Sequence, residues 1–395
     1  MNSEQIRSKI GLYIHWPFCL SKCPYCDFNS HVVDSVDHSR WEKALVNELT
    51  FLSRNQNQKK LTSIFFGGGT PSLMRPETVF EVIETAKKLW GVQQPIEITL
   101  EANPSSIEYQ TFSSFKQAGI NRISLGIQAF DNKALSFLGR SHDRLDAVNA
   151  LEAAHKSFDK VSFDLIYARP QQTIKSWLLE LGQALDLAGE HMSVYQLTIE
   201  KGTAFYSQYK NGEFEMPSSE TAGDFYEVTN ERLSSAGLQN YEVSNYAQLG
   251  SECQHNMIYW RSEDYLGVGP GAHSRLTDKR GERRATRSLT APFSWLKEVE
   301  TNGHALVEQT ILSISEQLTE TIMMGLRLKE GVSLKKLNKL TGKTLNQLFD
   351  AEALYLLKKE DYLRADKFYL RATDSGRQRL NGVVRCLLDS VNIPN

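Results

Sequence analysis

Three cysteines near the amino terminus are the residues most suited to chemistry. Cys19, Cys23 and Cys26 form a CxxxCxxC pattern within eight residues of a chain that has five cysteines in 395 residues. Such close neighbours are poor disulfide partners for one another, and an odd total excludes a framework in which every cysteine is paired. Clustered reduced thiols therefore predict a metal or cluster site.

Two kinds of metal site are compatible with three thiolates. A cubane iron–sulfur cluster has four irons, so three cysteines leave one iron open to a small molecule. A structural zinc ion needs a fourth ligand, for which His15 and His31 are the nearby candidates. The sequence favours the cluster and leaves zinc as the alternative.

Short apolar runs alternate with amphipathic stretches through the first half of the chain. Strands are predicted at 11–15, 61–66, 96–101, 121–126, 160–166 and 192–199, and helices at 41–52, 76–89, 107–118, 145–154 and 174–187. Six strand–helix units predict an α/β fold with a parallel sheet, either open and doubly wound or a partly closed barrel. The cysteines, a GGGTPS segment, Glu101, Gln128 and Asp164 follow or end successive strands, so they should converge at one site.

The C-terminal part has a different pattern. Helices at 316–328, 333–340 and 345–358, a hairpin of 362–364 with 368–371 and a last helix capped by Asp374 suggest a winged-helix-like domain. Residues 333–386 carry twelve Lys and Arg against six Asp and Glu. A zinc-stabilised DNA-binding protein is therefore an alternative, but a packing module is favoured and no nucleic-acid partner is expected. Expected boundaries are 1–275 for the core, 276–310 for a connecting region and 311–395 for this domain.

Net charge and hydropathy narrow the class of protein further. A net charge of -2 gives no argument for a polyanionic partner. The polar amino terminus lacks a secretory signal, and no apolar run is long enough to span a bilayer. We therefore expect a cytoplasmic protein.

Several motifs resemble those of the radical S-adenosylmethionine (SAM) superfamily, and within it the HemN/HemW group. The chain carries CxxxCxxC with an aromatic residue before the third cysteine, together with YIHWPFC from Tyr13, FGGGTPS from Phe66, NRISLGIQ from Asn121, LGRSH from Leu138, DLIY from Asp164, YQLTIE from Tyr195 and GVGPGAH from Gly267. The resemblance implies a partial (β/α)6 barrel with a [4Fe–4S] cluster on Cys19, Cys23 and Cys26. It also implies a SAM site formed by Tyr13, Tyr25, Gly68, Gly69, Thr70, Glu101, Gln128, Arg140 and Asp164.

Within that group the resemblance implies two functions. Its oxygen-independent coproporphyrinogen III oxidases have a fourth cysteine two residues after the third, where this chain has Phe28, and a longer extension than the 18 residues that precede Cys19 here. The HNMIYW segment resembles a motif associated with haem binding, which makes His255, Tyr259 and Trp260 candidates for a haem site. Cys253 is an alternative haem ligand. Cys386 is expected to be a structural residue.

A haem chaperone is therefore favoured, with the oxidase as the alternative. The expected cargo is haem, and the expected recipients are apo-haemoproteins, respiratory ones among them. Peripheral contact with the inner face of the membrane is expected through the basic C-terminal domain. No catalytic residue is assigned, and monomer and homodimer remain open.

Overall fold

The computed structural model describes residues 8–54, 56 and 58–392. Residues 1–7, which belong to the polar amino terminus, and residues 393–395 lie outside this range. The strands in chain order are β1 Lys9–Trp16, β2 Phe18–Cys19, β3 His31–Val32, β4 Lys60–Gly68, β5 Val92–Ala102, β6 Arg122–Gln128, β7 Lys160–Tyr167, β8 His191–Gln196, β9 Gln239–Asn240, β10 Asn245–Ala247, β11 Tyr265–Val268, β12 His273–Thr277, β13 Arg283–Ser288, β14 Leu306–Ile311, β15 Val332–Ser333, β16 Leu363–Ala365 and β17 Tyr369–Ala372.

The helices connect and cover these strands. They are α1 His38–Ser53, α2 Pro76–Trp90, α3 Ser106–Tyr109, α4 Phe112–Gln117, α5 Asn132–Phe137, α6 Arg144–Ser157, α7 Ile174–Leu187, α8 Ala204–Lys210, α9 Ser219–Ser235, α10 Gln254–Trp260, α11 Pro292–Asn302, α12 Ile314–Gly325, α13 Leu334–Thr341, α14 Leu345–Leu348, α15 Ala351–Lys359, α16 Asp374–Gln378 and α17 Leu380–Asp389, with a 3-10 turn at Pro71–Leu73.

Twelve strands of the described part of the chain form one sheet in the order β14-β13-β12-β11-β1-β4-β5-β6-β7-β8-β10-β9. The six predicted strands are β1, β4, β5, β6, β7 and β8, and each pairs in parallel with the next. β11 adds a seventh parallel strand beside β1, and the remaining strands extend the two edges in antiparallel pairs. The α/β fold with a partial barrel is thus confirmed.

The sheet has one apolar and one polar face, because successive side chains of a strand point in opposite directions. In β5, Ile98 and Leu100 are buried in the main hydrophobic core under the helices. The alternate positions Glu97, Thr99 and Glu101 belong to the opposite, inner face. The polar inner face ends at the carboxyl ends of the parallel strands, where a ligand site is expected.

Residues 276–310, predicted as a connecting region, hold strand β13, helix α11 and parts of strands β12 and β14 of the main sheet. Helix α1 is tied to this segment through the fully buried Glu48. Its carboxylate accepts hydrogen bonds from the backbone N–H groups of Gly269 and Ala305 at 2.8 and 3.0 Å, and from the indole Nε1 of Trp295 at 3.0 Å. The segment is therefore an integral part of the sheet and its helical layer.

The C-terminal unit begins at α12 and has its own core around Leu318, Leu348 and Leu370. Its three short strands form a separate sheet in the order β15-β17-β16. Two predicted helices are broken here. The 345–358 stretch divides into α14 and α15 because Phe349 is extended and Asp350 caps α15. The last helix divides at Arg379, and Thr373 rather than Asp374 caps its first part.

The predicted helix at 107–118 is also divided, into α3 and α4. The Thr111 hydroxyl donates to the Glu108 carbonyl oxygen at 2.6 Å, which is the local side-chain bonding that competes with a continuous helix. Within the described residues, no helix is both long and apolar enough to cross a bilayer.

Candidate functional site

A cavity of about 880 Å³ opens at the carboxyl ends of the parallel strands. Most of the residues that the sequence analysis assigned to a cofactor line this single cavity. They are Cys19, Cys23, Tyr25, Cys26, Gly68, Gly69, Thr70, Glu101, Gln128, Arg140 and Asp164. Tyr13 and the three candidate haem residues are not among the lining residues.

The cysteine loop is held by short-range pairing and by one close contact with a distant segment. The short strands β2 and β3 pair in parallel across the loop, and the Cys26 N–H donates to the Cys23 carbonyl oxygen at 3.1 Å. Gly139, at a φ of 67°, lies so close to Pro24 that a Cβ there would approach the proline Cδ to 2.5 Å. Only glycine permits this approach, which also brings the next residue, Arg140, to the thiols.

All three thiols have hydrogen-bond partners among the cavity residues, and Cys26 Sγ lies 3.7 Å from Ser30 Oγ. The Thr70 hydroxyl donates to Cys19 Sγ at 3.3 Å, and Arg140 donates to Cys23 Sγ at 3.2 Å. Asn103 joins the two donors, because its amide Nδ2 donates to Thr70 Oγ1 at 3.1 Å and its Oδ1 accepts from Arg140 at 2.5 Å. We call this set of four hydrogen bonds the thiol bridge. It links the Cys19 and Cys23 sulfur atoms to each other through side-chain hydrogen bonds.

The glycine segment at the end of β4 packs against the segment that leads into Cys19 as well as lining the cavity. A Cβ on Gly69 would lie 2.7 Å from the Phe18 carbonyl oxygen, and one on Gly68 would lie 2.6 Å from the His15 ring. Gly68 also has a φ of 115°. A side chain at either glycine would therefore collide with the segment that leads into Cys19. This packing role is additional to the predicted role in the SAM site.

Two carboxyl groups form the acidic part of the cavity. Burial, followed by the nearby charge of Asp164, raises the pKa of Glu101 to about 8. Burial raises the pKa of Asp164 to about 6. The Gly68 N–H donates to Glu101 Oε2 at 3.2 Å, which fixes the orientation of this carboxyl group. Gln128 lies beside them with a φ of 71°, a strained value for a residue other than glycine.

The alternative zinc ligands have other partners. His15 is buried, with Nδ1 hydrogen-bonded to the Tyr13 hydroxyl at 3.1 Å and Nε2 to the Asn29 carbonyl oxygen at 2.9 Å. His31 Nε2 is hydrogen-bonded to Asn29 Oδ1 at 3.0 Å. Across residues 8–54, 56 and 58–392, no three His, Cys, Asp or Glu side chains are grouped to hold one metal ion. The thiols of a cubane, unlike the ligands of a single zinc ion, each bind a separate iron.

The candidate haem residues lie on α10, which packs against the inner side of β1 and β4. His255 is 1% exposed, and its Nδ1 and Nε2 are hydrogen-bonded to Ser63 Oγ and the Tyr259 hydroxyl, both at 2.8 Å. Burial lowers the pKa of His255 to about 3, so the ring is neutral. Both ring nitrogens are therefore occupied within the protein, and the structure does not bring them to the cavity.

Trp260 and the residue after it connect α10 to the C-terminal unit. The guanidinium of Arg327 lies 4.7 Å from the centroid of the Trp260 ring, and Arg261 pairs with Glu330 at 2.7 Å. The buried Cys253 is 3.5 Å from Glu97 Oε1, and Cys386 packs against the C-terminal core. The HNMIYW segment thus joins the barrel to the C-terminal unit in this structure.

Comparison with known proteins identifies the family. Residues 13–179 match the radical SAM superfamily, and residues 312–379 match the HemN C-terminal domain. The chain is 36% identical to the "Heme chaperone HemW" of Haemophilus influenzae over 96% of this chain and 98% of that protein. The chain belongs to the HemN/HemW group of the radical SAM superfamily.

Two further comparisons agree with membership of the HemN/HemW group. The chain is 37% identical to the mitochondrial "Radical S-adenosyl methionine domain-containing protein 1" of Bos taurus, over 96% of this chain and 87% of that protein. The solved structure of the Escherichia coli coproporphyrinogen III oxidase HemN superposes with a TM-score of 0.80 at 21% identity, over 98% of this chain and 91% of the other. The second likeness shows a shared fold.

Some residues that line the cavity were not among the site residues predicted from the sequence. Asn103 completes the thiol bridge, Glu108 accepts from the Asn103 N–H at 2.8 Å, and Tyr195 lines the cavity near Asp164. Tyr195 begins the YQLTIE motif and Asn103 follows the candidate residue Glu101 by two positions, so these places in the sequence were the available signal. The C-terminal residues Arg377–Gly382, which form another wall, carry no such signal.

Proposed function

We propose that the chain is a haem chaperone that carries a [4Fe–4S] cluster, binds SAM and passes haem to apo-haemoproteins. The proposal rests on the 36% identity to a haem chaperone over nearly the whole of both chains. Phe28 supports it, because this side chain lines the cavity at the position where the oxidases of the group have a fourth cysteine, and it offers no ligand atom. The radical enzyme remains the alternative.

The donor set of the cavity suits a cluster with one open iron. Cys19, Cys23 and Cys26 are free thiols on the cavity wall. Burial raises the pKa of Cys19, and a bound metal would favour its thiolate. When bound, a [4Fe–4S] cluster supplies one electron to the sulfonium of SAM. Thr70 and Arg140 would then serve as hydrogen-bond donors to two of the cluster ligands.

The remaining cavity residues suit the polar groups of SAM. Glu101 and Asp164 accept hydrogen bonds and therefore suit ribose hydroxyls or an ammonium group. Gln128 offers both a donor and an acceptor, and Arg140 suits a carboxylate. We assign these four side chains to binding and orienting SAM, with Tyr25 and the glycines shaping the cavity around it.

The raised pKa of Glu101 predicts a pH dependence of SAM binding. Both candidate partners are hydrogen-bond donors, so the ionised carboxylate binds better than the carboxylic acid, and the affinity should rise with pH until about pH 8. Below pH 8 the affinity for SAM should fall by up to about tenfold per pH unit. Equilibrium binding of SAM to the reconstituted protein between pH 6 and pH 9 measures it.

Glu101→Gln is the variant that tests this assignment. Its affinity for SAM should be lower at pH 8.5 and nearly independent of pH, because the amide does not titrate. The exposed Glu81 on α2 provides the control, since Glu81→Gln should keep the wild-type profile. A wild-type pH profile in Glu101→Gln would show that another group controls binding.

A direct comparison of the two functions is the main test of the proposal. After anaerobic reconstitution with iron and sulfide, the protein should bind haem stoichiometrically and transfer it to an apo-haemoprotein such as apomyoglobin. With SAM and a reductant it should not convert coproporphyrinogen III to protoporphyrinogen IX. Turnover of coproporphyrinogen III would overturn the proposal in favour of the oxidase.

Haem ligation by His255 remains a prediction from the sequence, and the structure favours a packing role. Replacing His255 by alanine leaves the hydroxyls of Ser63 and Tyr259 without their partner, so we expect a loss of about 1–3 kcal/mol in the free energy of unfolding. The haem stoichiometry should be unchanged. Loss of the haem-binding absorption change in a variant of wild-type stability would instead assign the ligand to His255.

The proposed partners and location follow from the proposed haem-chaperone function. Haem is the cargo, and apo-haemoproteins, including respiratory ones, are the recipients. We propose a cytoplasmic protein with peripheral contact at the inner face of the membrane through the basic C-terminal unit. No nucleic acid is expected among the partners.

A further inference from the structure

The C-terminal unit contributes a positively charged wall to the cavity. Arg327, Arg377 and Arg379 all line it, together with the first residues of α17. Arg327 is already engaged, because its guanidinium donates to Glu242 Oε2 at 3.2 Å and stacks on Trp260. The other two arginines lie where α16 ends and α17 begins. We refer to Arg377–Gly382 as the C-terminal wall.

Arg377 has a polar atom that the protein does not satisfy. The residue is 4% exposed, and one terminal nitrogen pairs with Asp374. Its Nε is buried and has no hydrogen-bond partner within the described part of the chain. Buried N–H groups without a partner are uncommon in folded proteins, so Arg377, which lines the cavity, has donor capacity that the described part of the chain does not use.

The amino end of α17 supplies a second, independent feature. This ten-residue helix begins at Leu380, directly after Arg379, and no side chain caps its first turn. Free N–H groups and the helix dipole at such an end favour a negatively charged group. Arg379 is itself exposed at the cavity. Two guanidinium groups and a helix amino end together suit a carboxylate.

We propose that the C-terminal wall binds a carboxylate of the tetrapyrrole cargo, as a propionate side chain would present it. This inference rests on the proposed function. The cavity, at about 880 Å³, lies near the upper end of the 300–1,000 Å³ usual for small-molecule sites. The apolar side chains of Leu197, Val243 and Leu380 also line it and offer contact surface to a macrocycle.

Blocking the carboxylates tests the proposal directly. Haem and haem dimethyl ester are titrated into the reconstituted protein and followed by visible absorption. Loss of a charge-assisted pair should weaken binding roughly 10- to 100-fold, so the ester should bind that much less tightly than haem. Arg379→Gln should weaken haem binding to a similar extent and leave ester binding unchanged. Arg379 is exposed, so this variant should fold normally.

Arg385 provides the matched control, because it lies on the same helix and its side chain is 84% exposed. Arg385→Gln should bind haem and the ester as the wild type does. The carboxylate site would be overturned if the wild type bound haem and the ester with equal affinity. It would also be overturned if the Arg379 and Arg385 variants bound haem with equal affinity.

Failure of the proposed function gives a different result. If the wild type binds no haem, coproporphyrin III and its tetramethyl ester become the probes, since the alternative function also uses a carboxylated tetrapyrrole. A preference for the free acid that Arg379→Gln abolishes would retain the site while excluding the haem cargo. No such preference would overturn both.

Discussion

Cys23→Ala is expected to abolish assembly of the iron–sulfur cluster. The substitution removes one of three thiolates, and it also leaves Arg140, which donates to Cys23 Sγ at 3.2 Å, without that acceptor. A cubane with only two protein ligands would have two irons without cysteine and should not persist. After anaerobic reconstitution, iron and acid-labile sulfide should fall from about four per chain, as a complete cubane contains, towards zero.

Cys386→Ala is the matched control for this experiment. Cys386 is partly exposed on α17, away from the cavity wall, so its variant should retain the iron and sulfide of the wild type. Retention of the full iron content by Cys23→Ala would contradict the cluster assignment. Zinc without iron or sulfide in the wild type would revive the zinc-site alternative.

Glu48→Leu is expected to cause a large loss in the free energy of unfolding. The substitution leaves the Gly269 and Ala305 backbone N–H groups and the Trp295 indole N–H buried without acceptors. Each buried unsatisfied donor costs about 1–3 kcal/mol. The desolvation cost of the carboxylate is recovered, so we expect a net loss of about 3–5 kcal/mol.

Equilibrium unfolding in urea, followed by circular dichroism, measures this loss. The free energy of unfolding of Glu48→Gln should lie between those of the wild type and Glu48→Leu. Both carboxylate oxygens of Glu48 accept hydrogen bonds from N–H donors, so the amide nitrogen of glutamine would face one of these donors while the amide oxygen would keep the others. Lys43 is exposed on the same helix, and Lys43→Ala should change the free energy of unfolding by less than about 0.5 kcal/mol. A Glu48→Leu variant as stable as Lys43→Ala would show that this link is not needed.

The parallel part of the sheet could be predicted because its pattern is strong and local. Each of the six strands has an apolar face that the helices cover, as Ile98 and Leu100 show in β5. The cavity residues could be predicted as a group because parallel strands end at one edge. The partial closure of the barrel came from resemblance, since hydrophobic periodicity does not encode curvature.

Other parts of the fold depend on contacts between residues far apart in the sequence. Strand β13 has the sequence RRATRS, whose polar residues give no strand signal, and its pairing with β12 and β14 sets its conformation. Glu48 has the polarity of a solvent-exposed helix position, and only its distant N–H partners explain its burial. Asn103 and the C-terminal wall are likewise defined by the three-dimensional arrangement.

The position of β1 in the sheet has a consequence for synthesis on the ribosome. β1 is the first strand of the described part of the chain, yet it lies between β4 and β11, and β11 begins at Tyr265. At about 5–20 residues per second, roughly 10–50 s pass before the second neighbour of β1 has been translated. During that interval one edge of an apolar strand is open to pairing with other chains. Nascent chains truncated before Tyr265 should therefore aggregate more readily than chains that extend beyond Val268.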